Sequence, residues 1–269
     1  MKKHKICKIL LVILAIFLCV AFYELLGICV AYKKQPEVSN TTKKETKNGS
    51  WNECSENTER AVIIEKNPEA LLQRVRLIKN AKKEIILSTF AFQSDESGKL
   101  ILGALHDAAD RGVHIRLLVD GMESWIDMEG NPYFYGLSSH ENVEIKLYNK
   151  ANPLKPWKMM GRMHDKYLIA DGKRYILGGR NTYNYFLGDF PGHKNYDRDV
   201  LVVCDEPEKE NSVNQLLEYF ETIWEQEDSG YFHDNKKLAN RKSVKNAVLE
   251  LQNGYQKYFE ENKERICDT

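Results

Sequence analysis

Met163-His164-Asp165-Lys166-Tyr167-Leu168-Ile169-Ala170-Asp171, continued by Gly172 to Leu177 and closed by Gly178-Gly179-Arg180-Asn181, is the stretch from which the rest of the chain is read. Tyr167–Ala170 and Arg174–Leu177 are strand-like runs joined by Asp171-Gly172-Lys173, and Asp-Gly between two such runs signals a hairpin. The second strand then returns Gly178–Asn181 to the level of His164. His164 and Lys166 are two apart, so on an extended segment their side chains leave the same face. Gly178 and Gly179 let the backbone approach a ligand closely or take positive φ. An imidazole, a fixed cation and a side-chain amide then converge on one place.

That combination suits a phosphodiester. A neutral imidazole can attack phosphorus and form a covalent phosphohistidine, which splits one hard displacement into two easier ones. Lys166 and Asn181 can hold the non-bridging oxygens and stabilise charge in the transition state, so no metal or other cofactor is required. A carboxylate is needed to orient the histidine and select the attacking nitrogen. Asp197 and Asp199, two apart near the next strand, are the downstream candidates. His164, His193 and an Asp could be imagined around a metal, but their spacing does not support it. The remaining histidines read as surface residues.

Around this stretch, strand-like and helix-like segments alternate. Ala61–Glu65, Glu84–Phe92, Val113–Val119, Val143–Tyr148 and Asp199–Val203 read as strands. Pro68–Ala81 reads as a helix, with Pro68 suited to a first turn and Leu71, Leu72, Val75 and Ile78 as its apolar stripe. Gly98–Arg111 is an Ala/Leu-rich helix stopped by Gly112, and Glu208–Glu225 is another. The alternation predicts an α/β sandwich, a mixed central sheet flanked by helices. Beyond it, Val244, Val248, Leu251, Tyr255 and Tyr258 mark a helix over 241–262 that docks on its own domain or on a partner.

The 269 residues carry 39 Lys+Arg and 39 Asp+Glu, a balance that hides an uneven distribution. Residues 1–34 hold six lysines and only Glu24, a net of +5; the remaining 33 basic and 38 acidic residues give −5. An acidic body argues against a nucleic-acid partner, whose phosphates need local positive charge. Ile9 to Tyr32 is almost continuously apolar, long enough to cross a hydrocarbon core of about 30 Å. It is long for a signal-peptide core and lacks a clean A-x-A site, and Ile28 is too bulky to precede a lipidated Cys29. One N-terminal transmembrane helix is therefore expected. Lysines before it outweigh those just after it, which points to a single-pass cell-membrane protein with its soluble domain outside the cytoplasm. The expected organisation is an anchor over 1–34, a polar flexible linker over 35–58, a catalytic domain over 59–227 and a helical extension over 228–269. The six cysteines show no C-x-x-C and no metal-like spacing.

The motif resembles the signature of the phospholipase D superfamily, H-x-K-x4-D-x6-G-[GS]-x-N. Every fixed position is met, by His164, Lys166, Asp171, Gly178, Gly179 and Asn181. Chance agreement at all of these offsets in a chain of this length is about one in 10⁵ from average residue usage. Ala108-Ala109-Asp110-Arg111-Gly112-Val113 with Arg116-Leu117-Leu118-Val119-Asp120, and the later Asp197-Arg198-Asp199-Val200, look like the bacterial cardiolipin synthase-like branch. The resemblance implies that His164 is the nucleophile and that Lys166 and Asn181, with Gly178 and Gly179, bind the phosphate. It further implies that an acidic residue after the Asn supports the histidine, where Asp197 sits best. Asp171 completes the candidate catalytic set of His164, Lys166, Asp171, Asn181 and Asp197; the resemblance makes its part structural, in the hairpin.

The implied activity is that of a phosphodiesterase or phosphatidyltransferase acting on phospholipids at a membrane. Lipid-processing members of this branch usually carry two such motifs, the second histidine serving as acid and then base. This chain has one; His114-Ile115-Arg116 places Arg where Lys is needed. A homodimer, or a second chain with the same motif, would supply the other histidine. A dimeric single-motif endonuclease, and a catalytically incomplete half, are the competing readings. Trp157-Lys158-Met159-Met160 and Tyr183–Leu187 flank the motif and are unusually apolar for loops. They suit either an acyl-chain or bilayer contact or local packing.

Overall fold

A computed structural model describes residues 2–33, 40, 43–44, 59–205, 211–233 and 237–267. The expected linker over 35–58 lies almost wholly outside these residues. The chain divides into two compact units, Met1–Ser55 with Ala151–Arg162, and Glu56–Lys150 with Met163–Thr269.

In the first unit, helix α1 (Lys2–Lys33) contains an apolar span, Lys5–Ala31, of 27 residues. At 1.5 Å per residue this is about 40 Å, enough to cross a bilayer core of about 30 Å. Its apolar side chains are exposed along most of its length, as a lipid-facing helix requires. The segment Ala151–Arg162, with a 3₁₀ turn at Pro156–Lys158, belongs to the same unit.

The second unit is a three-layer α/β sandwich. Its strands are β1 (Glu59–Ile64), β2 (Glu84–Thr89), β3 (His114–Asp120), β4 (Val143–Tyr148), β5 (Lys166–Ala170), β6 (Arg174–Gly178), β7 (Asp199–Cys204) and β8 (Ser229–Tyr231). They form one sheet in the order β1-β7-β6-β5-β2-β3-β4-β8. β2, β3 and β4 run parallel, and every other neighbouring pair is antiparallel.

Alternation along the central strands produces the two faces. Ile85, Leu87, Leu117, Leu168 and Ala170 point into the larger core. It is covered by α2 (Asn67–Asn80), α3 (Glu96–Asp110), α5 (Pro132–Ser138) and α7 (Lys242–Glu261). Ile86, Leu118, Tyr167, Ile169 and Tyr175 point the other way, against Val213, Phe220 and Trp224 of α6 (Ser212–Trp224). With both faces covered, the central strands are apolar throughout, which explains their unbroken hydrophobic runs.

Some boundaries differ from the sequence expectation for identifiable reasons. β2 ends at Thr89 rather than Phe92 because the chain leaves the sheet to pair with Thr182. The Gln93 N–H donates to the Thr182 carbonyl at 3.2 Å, and the Thr182 N–H to the Ala91 carbonyl at 3.0 Å. Helices α4 (Gly121–Asp127) and α5 are too short to show a periodic signal. Residues past 228 add β8 to the sheet edge, and α7 buries Val244, Leu251, Tyr255 and Phe259, so this helix docks on its own domain. Phe259, one residue beyond the expected Tyr258, completes that stripe.

One buried ionic cluster ties this sheet to α2. Asp199, at the start of β7, takes Arg74 of α2 at 2.8 Å and Arg180 at 3.2 Å on the same carboxylate oxygen. Arg180 also donates to the carbonyls of Ile64 and Glu65 at 3.2 and 2.7 Å, to Asn67 Oδ1 at 3.2 Å and to the Asp197 carbonyl. Removing one partner of a buried pair leaves uncompensated charge, at a cost of about 3–5 kcal/mol. Asp199→Ala is therefore expected to lower unfolding free energy by about that amount in chemical denaturation, because two buried guanidinium groups lose their counter-charge.

Candidate active site

All the signature residues except Asp171 lie at the sheet edge formed by the carboxyl ends of β2 and β3, the edge at which open α/β sheets bind ligands. β5 runs antiparallel to β2, so its first residue, Lys166, pairs with Thr89 at the end of β2. The hairpin returns β6 so that Gly178 ends beside Asp199 at the same edge. The expected Asp-Gly turn is present, with Asp171 at φ 55° and Gly172 at φ 63°.

Phe90 and Ala91, just past β2, form the floor on which three signature side chains meet. The Phe90 ring packs edge-on to the His164 imidazole, with centroids 4.6 Å apart. Lys166 Nζ lies 5.1 Å from the centroid of the same ring and donates to the His164 carbonyl at 2.8 Å. The Ala91 N–H donates to Asn181 Oδ1 at 3.3 Å, which leaves the amide NH₂ as a donor for an anion. His164 is exposed, whereas Lys166 and Asn181 are buried. A solvent-facing imidazole thus stands over two sequestered donors, an arrangement able to receive a phosphate.

Other contacts set the backbone around His164. Asp120, the last residue of β3, caps α4 by accepting from the N–H groups of Met122 and Glu123. Its second oxygen takes the Met163 N–H at 3.1 Å, fixing the residue before His164. Asp165 is held by the Tyr219 hydroxyl at 3.0 Å. Burial raises the Asp165 carboxyl above its ordinary range against the pull of that hydroxyl, and Tyr219 is pushed up to about 12 by burial and the facing carboxylate. Phe90, Asp120 and Tyr219 escaped the sequence reading, because nothing in local spacing says which segment a strand end will face. The apolar run ending at Phe92 was the one available hint.

The two candidate carboxylates divide their work. Asp199 is consumed by Arg74 and Arg180 and is structural. Asp197 stands over Gly179, and its charge acts on Lys166. Its carboxylate accepts from the Arg198 N–H at 2.7 Å; among the described residues no hydrogen bond joins it to His164. The glycines serve these carboxylates. Neither takes positive φ. A Cβ at Gly178 would fall 2.0 Å from Asp199 Oδ1, and one at Gly179 the same distance from Asp197 Oδ2. The close approach inferred from the glycines is thus made by the protein's own acidic groups.

Asp171 leaves the candidate catalytic set. It lies at the other end of β5, five residues and about 16 Å of strand from Lys166. There it accepts from the N–H groups of Lys82, Lys83 and Glu84 at 2.9, 2.7 and 3.0 Å, capping the entry to β2. His114, His140 and His233 each face a carboxylate, of Glu144, Asp110 and Glu129, away from the signature. Of the two flanking apolar loops, Tyr183–Leu187 packs locally, with Leu187 fully buried and Phe186 against the larger core.

With this geometry in hand, the family described as cardiolipin synthase, PLD-like domain, matches residues 74–224, and the chain belongs to that family. Cardiolipin synthase C of Escherichia coli (strain K12) is 29% identical over 171 residues, 58% of this chain and 34% of that protein. This chain therefore spans about a third of the relative's length. Phosphatidylserine synthase of Haemophilus influenzae Rd KW20 shares the fold at TM-score 0.54 and 18% identity, over 82% of this chain and 48% of its own. NucT from Helicobacter pylori does so at TM-score 0.51 and 16% identity, over 65% of this chain and 99% of its own.

Two outcomes follow from the charges and caps. Burial holds the Lys166 ammonium below the usual lysine range, and the Asp165 and Asp197 carboxylates act against it. Only the charged form can neutralise a phosphate, so the alkaline limb of kcat/KM on a chromogenic phosphodiester should fall below about pH 10.4, the ordinary lysine value. Lys166→Arg should move that limb upward; an unmoved limb would assign it to another group. Asp171→Ala, which strands three N–H groups, should lower stability by about 1–3 kcal/mol in denaturant titrations while turnover per folded molecule is kept.

Proposed function

We propose that this protein is a membrane-anchored phosphodiesterase or phosphatidyltransferase that acts on phospholipids through a phosphohistidine at His164. The observation that carries this reading is the meeting of His164, Lys166 and Asn181 on Phe90-Ala91, inside the segment that matches the cardiolipin synthase family. The apolar span of α1 supports the anchor and a lipid substrate.

In the first step an imidazole nitrogen of His164 forms a bond to phosphorus, and the bond from phosphorus to the headgroup oxygen breaks. The departing oxygen takes a proton from a general acid. Lys166 and the Asn181 amide hold the non-bridging oxygens throughout. In the second step the oxygen of an alcohol or of water attacks phosphorus and gives its proton to the group that served as general acid, and the N–P bond breaks. Asp197 tunes the site through Lys166, beside which its charge acts. The general acid is the histidine of a second signature, from a second copy of this chain or from another chain carrying the same motif. The soluble domain lies outside the cytoplasm, following the lysine bias around α1.

Full-length protein in vesicles containing phosphatidylglycerol should release glycerol and form either cardiolipin or phosphatidic acid. His164→Ala should lower that rate by on the order of 10⁴-fold or more, and acid-labile phosphorylated protein should be trapped only with His164 present. A wild type that turns over no phospholipid overturns the reading. Salt-sensitive DNA cleavage by a dimer would replace it with the endonuclease alternative.

A further inference from the structure

The second flanking loop behaves differently from Tyr183–Leu187. Ala151–Arg162 belongs to one compact unit with α1, and its docking is specific. The Tyr23 hydroxyl donates to the Leu154 carbonyl at 3.0 Å. Gly27 is buried although its helix is otherwise largely exposed, and the 3₁₀ turn at Pro156 is what covers it. A Cβ at Gly27 would meet Pro156 Cγ at 2.4 Å and the Trp157 backbone nitrogen at 3.1 Å, so only glycine leaves the notch that receives this turn.

The position of that notch sets a depth. Gly27 is four residues before Ala31, where the apolar span ends. At 1.5 Å per residue it lies about 6 Å inside the span, and segments lying in a membrane interface bury their apolar faces about 5–10 Å. The segment has the matching composition. Leu154 is 79% exposed, and Trp157 and Met160 are about half exposed. They alternate with Lys155, Lys158 and Arg162. Tryptophan prefers the headgroup level, and lysine stems run along apolar surface while the ammonium group reaches lipid phosphate.

We propose that Ala151–Arg162 is a membrane-interface segment, held against α1 by Tyr23 and Gly27, with Leu154, Trp157 and Met160 among lipid chains and Lys155 and Lys158 at lipid phosphates. The inference rests on the reading of α1 as a membrane span. Its consequence for catalysis comes from chain length alone: His164 is two positions beyond Arg162, at most about 7 Å of extended backbone. Seating this segment in the bilayer surface therefore tethers the nucleophile to the layer that holds phospholipid headgroups.

The test uses full-length protein in nanodiscs containing phosphatidylglycerol and lipids brominated at graded depths, with quenching of tryptophan emission as the readout. The chain has four tryptophans, so the contribution of Trp157 is taken as the difference from Trp157→Phe. Shallow bromines should quench a component of wild-type emission that Trp157→Phe lacks. Gly27→Ile should reduce that component at least twofold while α1 stays resistant to alkaline extraction. Equal quenching in wild type and Trp157→Phe overturns the proposal; unchanged quenching in Gly27→Ile overturns the part assigned to α1. The readout involves no turnover. Quenching without lipid turnover would remove the proposed activity and keep the segment, and turnover without quenching would do the reverse.

Discussion

The second unit is organised by a single carboxylate. Asp199 is buried with one oxygen shared by Arg74 and Arg180, while its other oxygen lies over the bare backbone of Gly178. Through Arg180 the same cluster reaches the carbonyls of Ile64, Glu65 and Asp197. The helix before β2, the connection leaving β1, the start of β7 and the end of the signature are thereby held to one point. Buried ions are costly unless paired with opposite charge. The cluster tolerates few alternative geometries for that reason, and the placement of Asn181 and Asp197 follows from it.

Around that fixed point the site separates chemistry from support. His164, Lys166 and Asn181 meet over Phe90 and Ala91, and each is positioned by a different part of the fold. The imidazole rests on Phe90, the ammonium is drawn to the His164 carbonyl, and the amide is oriented by the Ala91 N–H. Asp120 holds the backbone one residue ahead of His164. Preorganisation of this kind matters because donors fixed in a partly desolvated site need no reorganisation as charge develops on phosphate. Burial of Lys166 has the opposite effect on the lysine itself, weakening its hold on the proton. Asp165 and Asp197 offset that tendency, which gives both acids a part in keeping the site cationic.

Much of the architecture was legible locally. The alternation of apolar runs and amphipathic stripes located α2, α3, α6, α7 and most strands to within a few residues, and Asp171-Gly172 located the hairpin. The signature residues were readable because their spacing is itself a geometry: two residues apart on a strand is one face, and a tight hairpin brings its two ends level. The short helices α4 and α5, and the three residues of β8, were not readable, since a period cannot be recognised over one or two turns.

What the sequence by itself determined was therefore the class of fold, the apolar span, and the spacing that brings His164, Lys166 and Asn181 together. Each of these is encoded in contiguous residues with a fixed repeat or offset. Only the tertiary structure decided that Asp171 caps β2, that Asp199 is a structural counter-ion while Asp197 faces Lys166, and that Phe90 underlies the site. It also showed that Gly27 and the two signature glycines are small to admit a particular neighbour. These facts depend on which distant segments meet, and that is settled by burial and charge pairing across the whole domain, which no local pattern records.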